Sequence, residues 1–89
     1  MNKVFLSGKV WKMPKLAYTP KGRKIVTFPM WIEEGNFSVE VIYAGDAFPA
    51  GVDQTVGNNV MVAGELVNAK LQSRDVLKVK ASKILWMEE

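Results

Sequence analysis

Arg23-Lys24-Ile25-Val26-Thr27-Phe28-Pro29-Met30-Trp31-Ile32, then Glu33-Glu34-Gly35-Asn36, then Phe37-Ser38-Val39-Glu40-Val41-Ile42-Tyr43-Ala44, is the stretch that decides the fold. Both arms alternate with a period of two, as half-buried strands do. In the first, Val26, Phe28, Met30 and Ile32 share a face, while Ile25, Thr27, Pro29 and Trp31 share the other. In the second, Phe37, Val39, Val41 and Tyr43 lie opposite Ser38, Glu40, Ile42 and Ala44. Glu34-Gly35-Asn36 between them reads as a tight hairpin turn. Pro29 has no N–H to give a ladder, so its position must lie at a sheet edge or a bulge.

The same rhythm extends in both directions. Residues 3–11 alternate, with Val4, Leu6, Gly8 and Val10 on one face and Phe5, Ser7, Lys9 and Trp11 on the other. Gly8 inside that strand suggests a bulge or sharp bend. Residues 13–22 carry turn chemistry at both ends, in Met13-Pro14 and in Thr19-Pro20-Lys21-Gly22. Residues 45–59 break the alternation with Gly45, Pro49, Gly51, Gly57 and Asn58-Asn59, which leaves room for at most a short helical turn around residues 52–56. Residues 59–71 form a fourth strand, Ser73-Arg74-Asp75 a turn, and residues 76–86 a fifth strand with Leu77, Val79 and Ala81 opposite Lys78, Lys80 and Ser82. The expectation is an all-β chain. Five strands with an irregular link between the third and fourth fit a small closed or partly open barrel. An SH3-like barrel is the competitor, usually with shorter strands and a smaller chain. The 89 residues suffice for one domain with one small core.

Composition removes most chemistry. The chain has neither Cys nor His. Disulfides, thiolate nucleophiles, zinc sites and histidine-based triads are therefore excluded. The carboxylates are scattered, Thr19-Pro20-Lys21-Gly22 is not a phosphate loop opening a helix, and no cofactor motif is present. No enzyme, no metal and no cofactor are expected. No apolar run approaches the ~20 residues of a membrane span, and no signal peptide opens the chain, so the expected setting is the cytoplasm, in association with the nucleoid.

Charge is segregated along the chain. Residues 1–32 hold seven bases and no acid, and residues 33–69 hold six acids and no base. Residues 70–87 hold five bases against Asp75, and Glu88-Glu89 follow, for a net charge of +3. Two basic blocks brought together by folding would make a polyanion face. The plainer alternative is that lysines solvate strand surfaces and blunt sheet edges.

Four segments, in order, resemble bacterial single-stranded DNA-binding proteins over nearly the whole chain. They are Met1-Asn2-Lys3-Val4-Phe5-Leu6-Ser7-Gly8-Lys9-Val10, the turn Tyr18-Thr19-Pro20-Lys21-Gly22 after Pro14-Lys15-Leu16-Ala17, Val60-Met61-Val62-Ala63-Gly64-Glu65-Leu66, and Ile84-Leu85-Trp86-Met87-Glu88. The resemblance implies a five-stranded OB-fold barrel and sequence-tolerant binding of single-stranded DNA in replication, repair or recombination. It also implies self-association as a dimer or tetramer, for which Phe5, Trp11, Phe48 and Trp86 are surplus apolar candidates. RNA remains a possible ligand. The primosomal replication protein N shares that fold, and a related accessory role is one alternative. Another is a protein-interaction barrel in an assembly, since a fold alone does not specify a ligand. The chain closes on Met87-Glu88-Glu89 rather than an acidic tip, so tail-mediated recruitment of replication proteins is not expected. A short OB-fold form, such as a specialised paralogue or a mobile-element form, fits that ending.

Single-strand binding needs cations that track phosphates and rings on which bases stack. The candidate rings are Trp31, Trp11, Phe37 and Tyr18. The candidate cations are Lys9, Lys12, Arg23, Lys24, Lys70, Arg74, Lys78 and Lys80. Phe28 and Tyr43 share the apolar faces and are expected in the core, and Trp86 is expected to pack. Against the family pattern, Ala44 and Ser38 stand where stacking aromatics are implied, Leu71 falls near another family tryptophan, and the loop between the second and third strands is only four residues long. Trp31 and Trp11 are therefore expected to replace the aromatics missing from the third strand.

Overall fold

The structure, a computed structural model, describes residues 1–45 and 56–87. Among these, six strands follow in order: β1 (Val4–Val10), β2 (Lys15–Tyr18), β3 (Lys24–Ile32), β4 (Phe37–Ala44), β5 (Asn59–Leu71) and β6 (Arg74–Met87). Five of them close a ring. β1 pairs with β5, β5 with β6, β6 with β4 and β4 with β3, and β3 returns to β1 through Lys9↔Trp31 and Val10↔Met30. All pairings are antiparallel except β4 with β6. The expected five-stranded OB-fold barrel is present.

The alternation read from the sequence sets the inside of the barrel. Val10, Val26, Phe28, Met30, Val41, Val60, Val62 and Val79 are fully buried, with Ile32, Tyr43 and Ala81 nearly so. Each such side chain contributes roughly 1.5–3 kcal/mol on leaving water, Ala81 less. Trp86 is half-buried, its ring 6.4 Å from that of Phe28. Phe5 points outward and is 72% exposed.

The sequence reading left β2 inside an irregular segment. Lys15–Tyr18 instead lies along the N-terminal half of β3, from Lys15↔Thr27 to Tyr18↔Lys24. The second edge of β3 is thus shared, with β2 on residues 24–27 and β1 on residues 30–31. Pro29 falls in the interval between them, where no strand needs its missing N–H. Thr19 closes the β2–β3 turn. Its N–H donates to the Arg23 carbonyl (2.8 Å), and its Oγ1 accepts from the Arg23 N–H (3.0 Å).

Two local readings need correction. The β5–β6 turn is Gln72-Ser73, not Ser73-Arg74-Asp75, because Leu71 pairs with Arg74. Both turn residues have positive φ, 53° and 66°, as a two-residue type I′ turn requires. Neither is Asn or Gly, so the usual signal was missing. A left-handed conformation costs a side-chain-bearing residue ~1–2 kcal/mol. Gln72→Asn with Ser73→Gly is therefore expected to stabilise the protein by about 1 kcal/mol and raise its melting temperature by roughly 4–8 °C. An unchanged or lower melting temperature would contradict this account of the turn.

The second correction concerns irregularity in the ladder. Among the described residues the register shift lies between Ala63 and Gly64 of β5, not at Gly8. Ala63 pairs with Lys83 and Gly64 with Ala81, so Ser82 is the extra residue, and its hydroxyl donates to the Ala63 carbonyl (3.2 Å). The bulge reverses the parity of β6. Val79 and Ala81 face inward before it, and Ile84 and Trp86 pack on the core after it. Gly8 serves a close approach instead, since a Cβ there would collide with the Trp31 carbonyl where β1 meets β3. Leu77 has the parity of the inward-facing Val79 and Ala81 but is 62% exposed, because β5 and β6 run past the barrel as a two-stranded arm. The helical turn expected around residues 52–56 and the place of Phe48 lie outside the described residues, apart from Val56.

Candidate nucleic-acid interface

The registers place outward-facing side chains in rows that cross the sheet. One row runs Asn59, Lys9, Trp31, Ser38 over β5, β1, β3 and β4. The next runs Pro29, Glu40, Lys78, Val67, and a third runs Lys15, Thr27, Ile42, Lys80, Glu65. A fourth holds Ala17, Ile25 and Ala44. The middle of the face, on β3 and β4, is therefore a half-buried and mostly uncharged strip, with lysines on both flanks. From Ile25 to Trp31 the strip is ~20 Å long at 3.3 Å per residue.

At one end of the strip the two candidate tryptophans meet. The Trp11 and Trp31 rings stand edge to face, with centroids 5.9 Å apart and planes at 66°. The Trp11 indole N–H donates to Ser38 Oγ (3.3 Å), and Lys12 Nζ sits 4.5 Å from the centre of the Trp11 ring. Edge-to-face packing and the cation over the ring both favour this arrangement, by ~0.5–1.5 and ~0.5–1 kcal/mol. Trp11 remains 42% exposed, so ring surface faces solvent. Local sequence explains the pairing. Trp31 points outward by strand parity, and the chain leaves β1 at Val10 so that Trp11 crosses over the β3–β4 hairpin. Ser38, directly opposite Trp31, is small enough to receive it.

The other candidates fall in several places. Lys9 stands beside Trp31 on β1, and Lys78, Lys80 and Arg74 share the outward parity of β6. Lys78 lies 3.6 Å from Glu40. Lys70 pairs across the arm with Asp75, on the opposite parity to Lys78 and Lys80. Phe37 pairs with Ile32, and Tyr18 with Lys24. These four have the inward parity of their strands, away from the two tryptophans, although Phe37 and Tyr18 are exposed at the barrel ends. Arg23 ends the β2–β3 turn and lines a groove of about 490 Å³ with Lys3 and Lys80.

Sequence reasoning placed Ile25 and Ile42 on this face but missed Lys15 and Lys3 as its cations. The Lys15-Leu16-Ala17-Tyr18 alternation was the available signal for Lys15. Among the described residues no group of three acidic side chains is placed to hold a metal ion. Among them, too, no helix is long and apolar enough to cross a membrane.

No family model matches the chain, and no curated protein matches it in sequence. Solved structures match it closely. The wild-type single-stranded DNA binding protein from Thermus aquaticus superposes over 100% of this chain with a TM-score of 0.86 and 26% identity. The chain spans only 41% of that protein's length. A Plasmodium falciparum SSB in complex with ssDNA matches over 99% of this chain and 96% of its own, with a TM-score of 0.79 and 19% identity. The dimeric N-terminal domain of PriB from Thermoanaerobacter tencongensis matches over 99% and 98%, with a TM-score of 0.74 and 21% identity. With the closed barrel, the register and these likenesses together, the chain has an OB-fold similar to that of single-stranded DNA-binding proteins.

Proposed function

We propose that this protein binds single-stranded DNA without reading its sequence, along the outward face of β3 and β4. The observation that carries the reading is the Trp11–Trp31 pair on a half-buried strip flanked by lysines. Exposed rings accept any base, because every base has a π-face, and flanking cations follow the phosphates. Trp11 and Trp31, seated over Ser38, take the place of aromatics that the third strand of the resembled family would supply. Lys9, Lys12, Lys15, Lys78 and Lys80 are the phosphate contacts nearest this strip. The likeness to the Thermus single-stranded DNA binding protein supports the binding, and replication, repair or recombination is the setting proposed for it. A strip of ~20 Å suits roughly four nucleotides, the low end for one OB-fold.

Titration of oligothymidylate at two salt concentrations tests this. Three to six phosphate contacts predict that log K falls with log salt at a slope of about −2 to −4. Absence of binding even at low salt would leave a protein-interaction barrel as the better reading. Self-association is proposed with it. Over residues 4–8, β1 has β5 on one edge and no described strand on the other, with Phe5 exposed beside that edge. Light scattering of the same samples should give a multiple of 9.9 kDa, and a monomer would overturn this part.

A further inference from the structure

The groove of about 490 Å³ beyond the end of the strip is built from chain segments far apart in sequence. Lys3 comes from the N-terminal segment, Arg23 from the β2–β3 turn and Lys80 from β6, with Ile42 and Ala44 of β4 in its wall. Glu65 also lines it. Among the described residues, none of the three cations makes an ion pair within 4.0 Å, and the Lys78–Glu40 pair lies elsewhere on the face.

The segments that bring Lys3 and Arg23 here are pinned. The Asn2 side chain donates from Nδ2 to the Leu66 carbonyl (2.8 Å) and accepts the Leu66 N–H at Oδ1 (3.0 Å). This fixes the chain beside Lys3. Arg23 is tied by its two hydrogen bonds with Thr19. Three like charges held round one groove against a single carboxylate repel one another, and an anion between them relieves that repulsion. The groove is also continuous with the strip, since Ile42 and Lys80 belong to both.

We infer that this groove is a phosphate-holding subsite for the strand as it leaves the aromatic platform, with Lys3 and Arg23 as its dedicated cations. The inference rests on the proposed single-strand binding and extends its footprint past the sheet face. A strand confined to the tryptophan end does not reach the groove. At physiological salt the ~8 Å screening length also shields it from charges ~13 Å away, the distance along β3 from Trp31 to the Thr27–Ile42 row.

The test is a fluorescence titration with oligothymidylates of about two nucleotides, which cover only the tryptophan half of the strip, and about twelve, on the wild type, a Lys3→Gln/Arg23→Gln variant and Glu65→Gln. The double variant is expected to bind the short oligonucleotide as the wild type does. On the long one it should lose about tenfold in affinity and about 1.4 from the salt slope, at ~0.7 per phosphate contact. Glu65→Gln should bind the long oligonucleotide several-fold more tightly and the short one unchanged. Equal losses on both lengths, or no loss on either, would overturn the subsite while leaving single-strand binding intact. A wild-type protein that binds neither length would remove the underlying reading and the subsite with it.

Discussion

Replacing Trp31 by Ala is expected to weaken oligothymidylate binding roughly 5- to 150-fold, the equivalent of ~1–3 kcal/mol for one lost base–ring contact. Trp31 sits at the centre of the platform. It has Lys9 on one side, Ser38 on the other, and the Trp11 ring edge to face at 5.9 Å. Removing it deletes one stacking surface and also takes away the ring that positions Trp11. The loss should therefore lie toward the upper part of that range. Trp11→Ala should cost less, and the double variant should cost less than the two single losses combined, because residues in contact do not act independently. The salt slope should change little in all three, since no phosphate contact is lost. That separates stacking from charge. Trp31 belongs to the outer face rather than the core, so the melting temperature should move by a few degrees only. Undiminished affinity in Trp31→Ala, measured by titration at fixed salt, would remove the platform from the binding site.

The platform was legible in the sequence for a specific reason. Strand parity alone places Trp31 opposite Phe28 and Met30, and a tryptophan on the polar side of a strand calls for a use. The same parity could not show that Trp11 crosses over β3 to reach Ser38, which depends on where β1 ends and how the ring closes. Lys15 was counted as a base but not placed, because β2 is four residues between two proline turns and yields too short an alternation to read. Lys3 and Arg23 reach a common groove only through the pairing of β2 on β3 and the Asn2 clamp on β5. Long-range closure of that kind leaves no local signature. The Gln72-Ser73 turn was misplaced by one residue because it uses side-chain-bearing residues where Asn-Gly would have announced it. The Ser82 bulge was invisible on its own strand, since Ala81-Ser82-Lys83 contains neither Gly nor Pro. Its signal stood across the ladder, in Gly64.

Gly64→Ala is accordingly expected to be the most destabilising small substitution in the barrel. A Cβ at Gly64 would collide with the Lys80 carbonyl and come within 2.9 Å of the Ala81 Cα. Both are backbone atoms, so no side chain can swing aside to accept the new methyl group. Moving β6 outward would relieve the clash, but the same segment of β6 holds the parallel pairing with β4 through residues 78–81. It would also disturb the bulge that turns Ile84 and Trp86 onto the core. Moving β5 instead would strain the Val4↔Gly64 pairing. A clash with no cheap outlet costs about 3 kcal/mol, at the upper end of overpacking. That is a large part of the ~5–15 kcal/mol that holds a small protein folded. The melting temperature should fall by roughly 12–24 °C. Ser82→Ala, which removes only the hydroxyl bond to Ala63, should cost ~0.5–1.5 kcal/mol and serves as the comparison. Gly8→Ala meets the Trp31 carbonyl in the same way, with the Met30 Cγ at 2.7 Å as the softer contact. It should lower stability and, by pushing β3 at Trp31, weaken oligonucleotide binding as well. Gly64→Ala lies away from the tryptophans, so any loss of affinity per folded molecule below its melting temperature should come from the groove that Gly64 and Lys80 line and not from the aromatic platform. A Gly64→Ala protein melting within a few degrees of the wild type would show that β5 and β6 do not meet as closely at the bulge as their register requires.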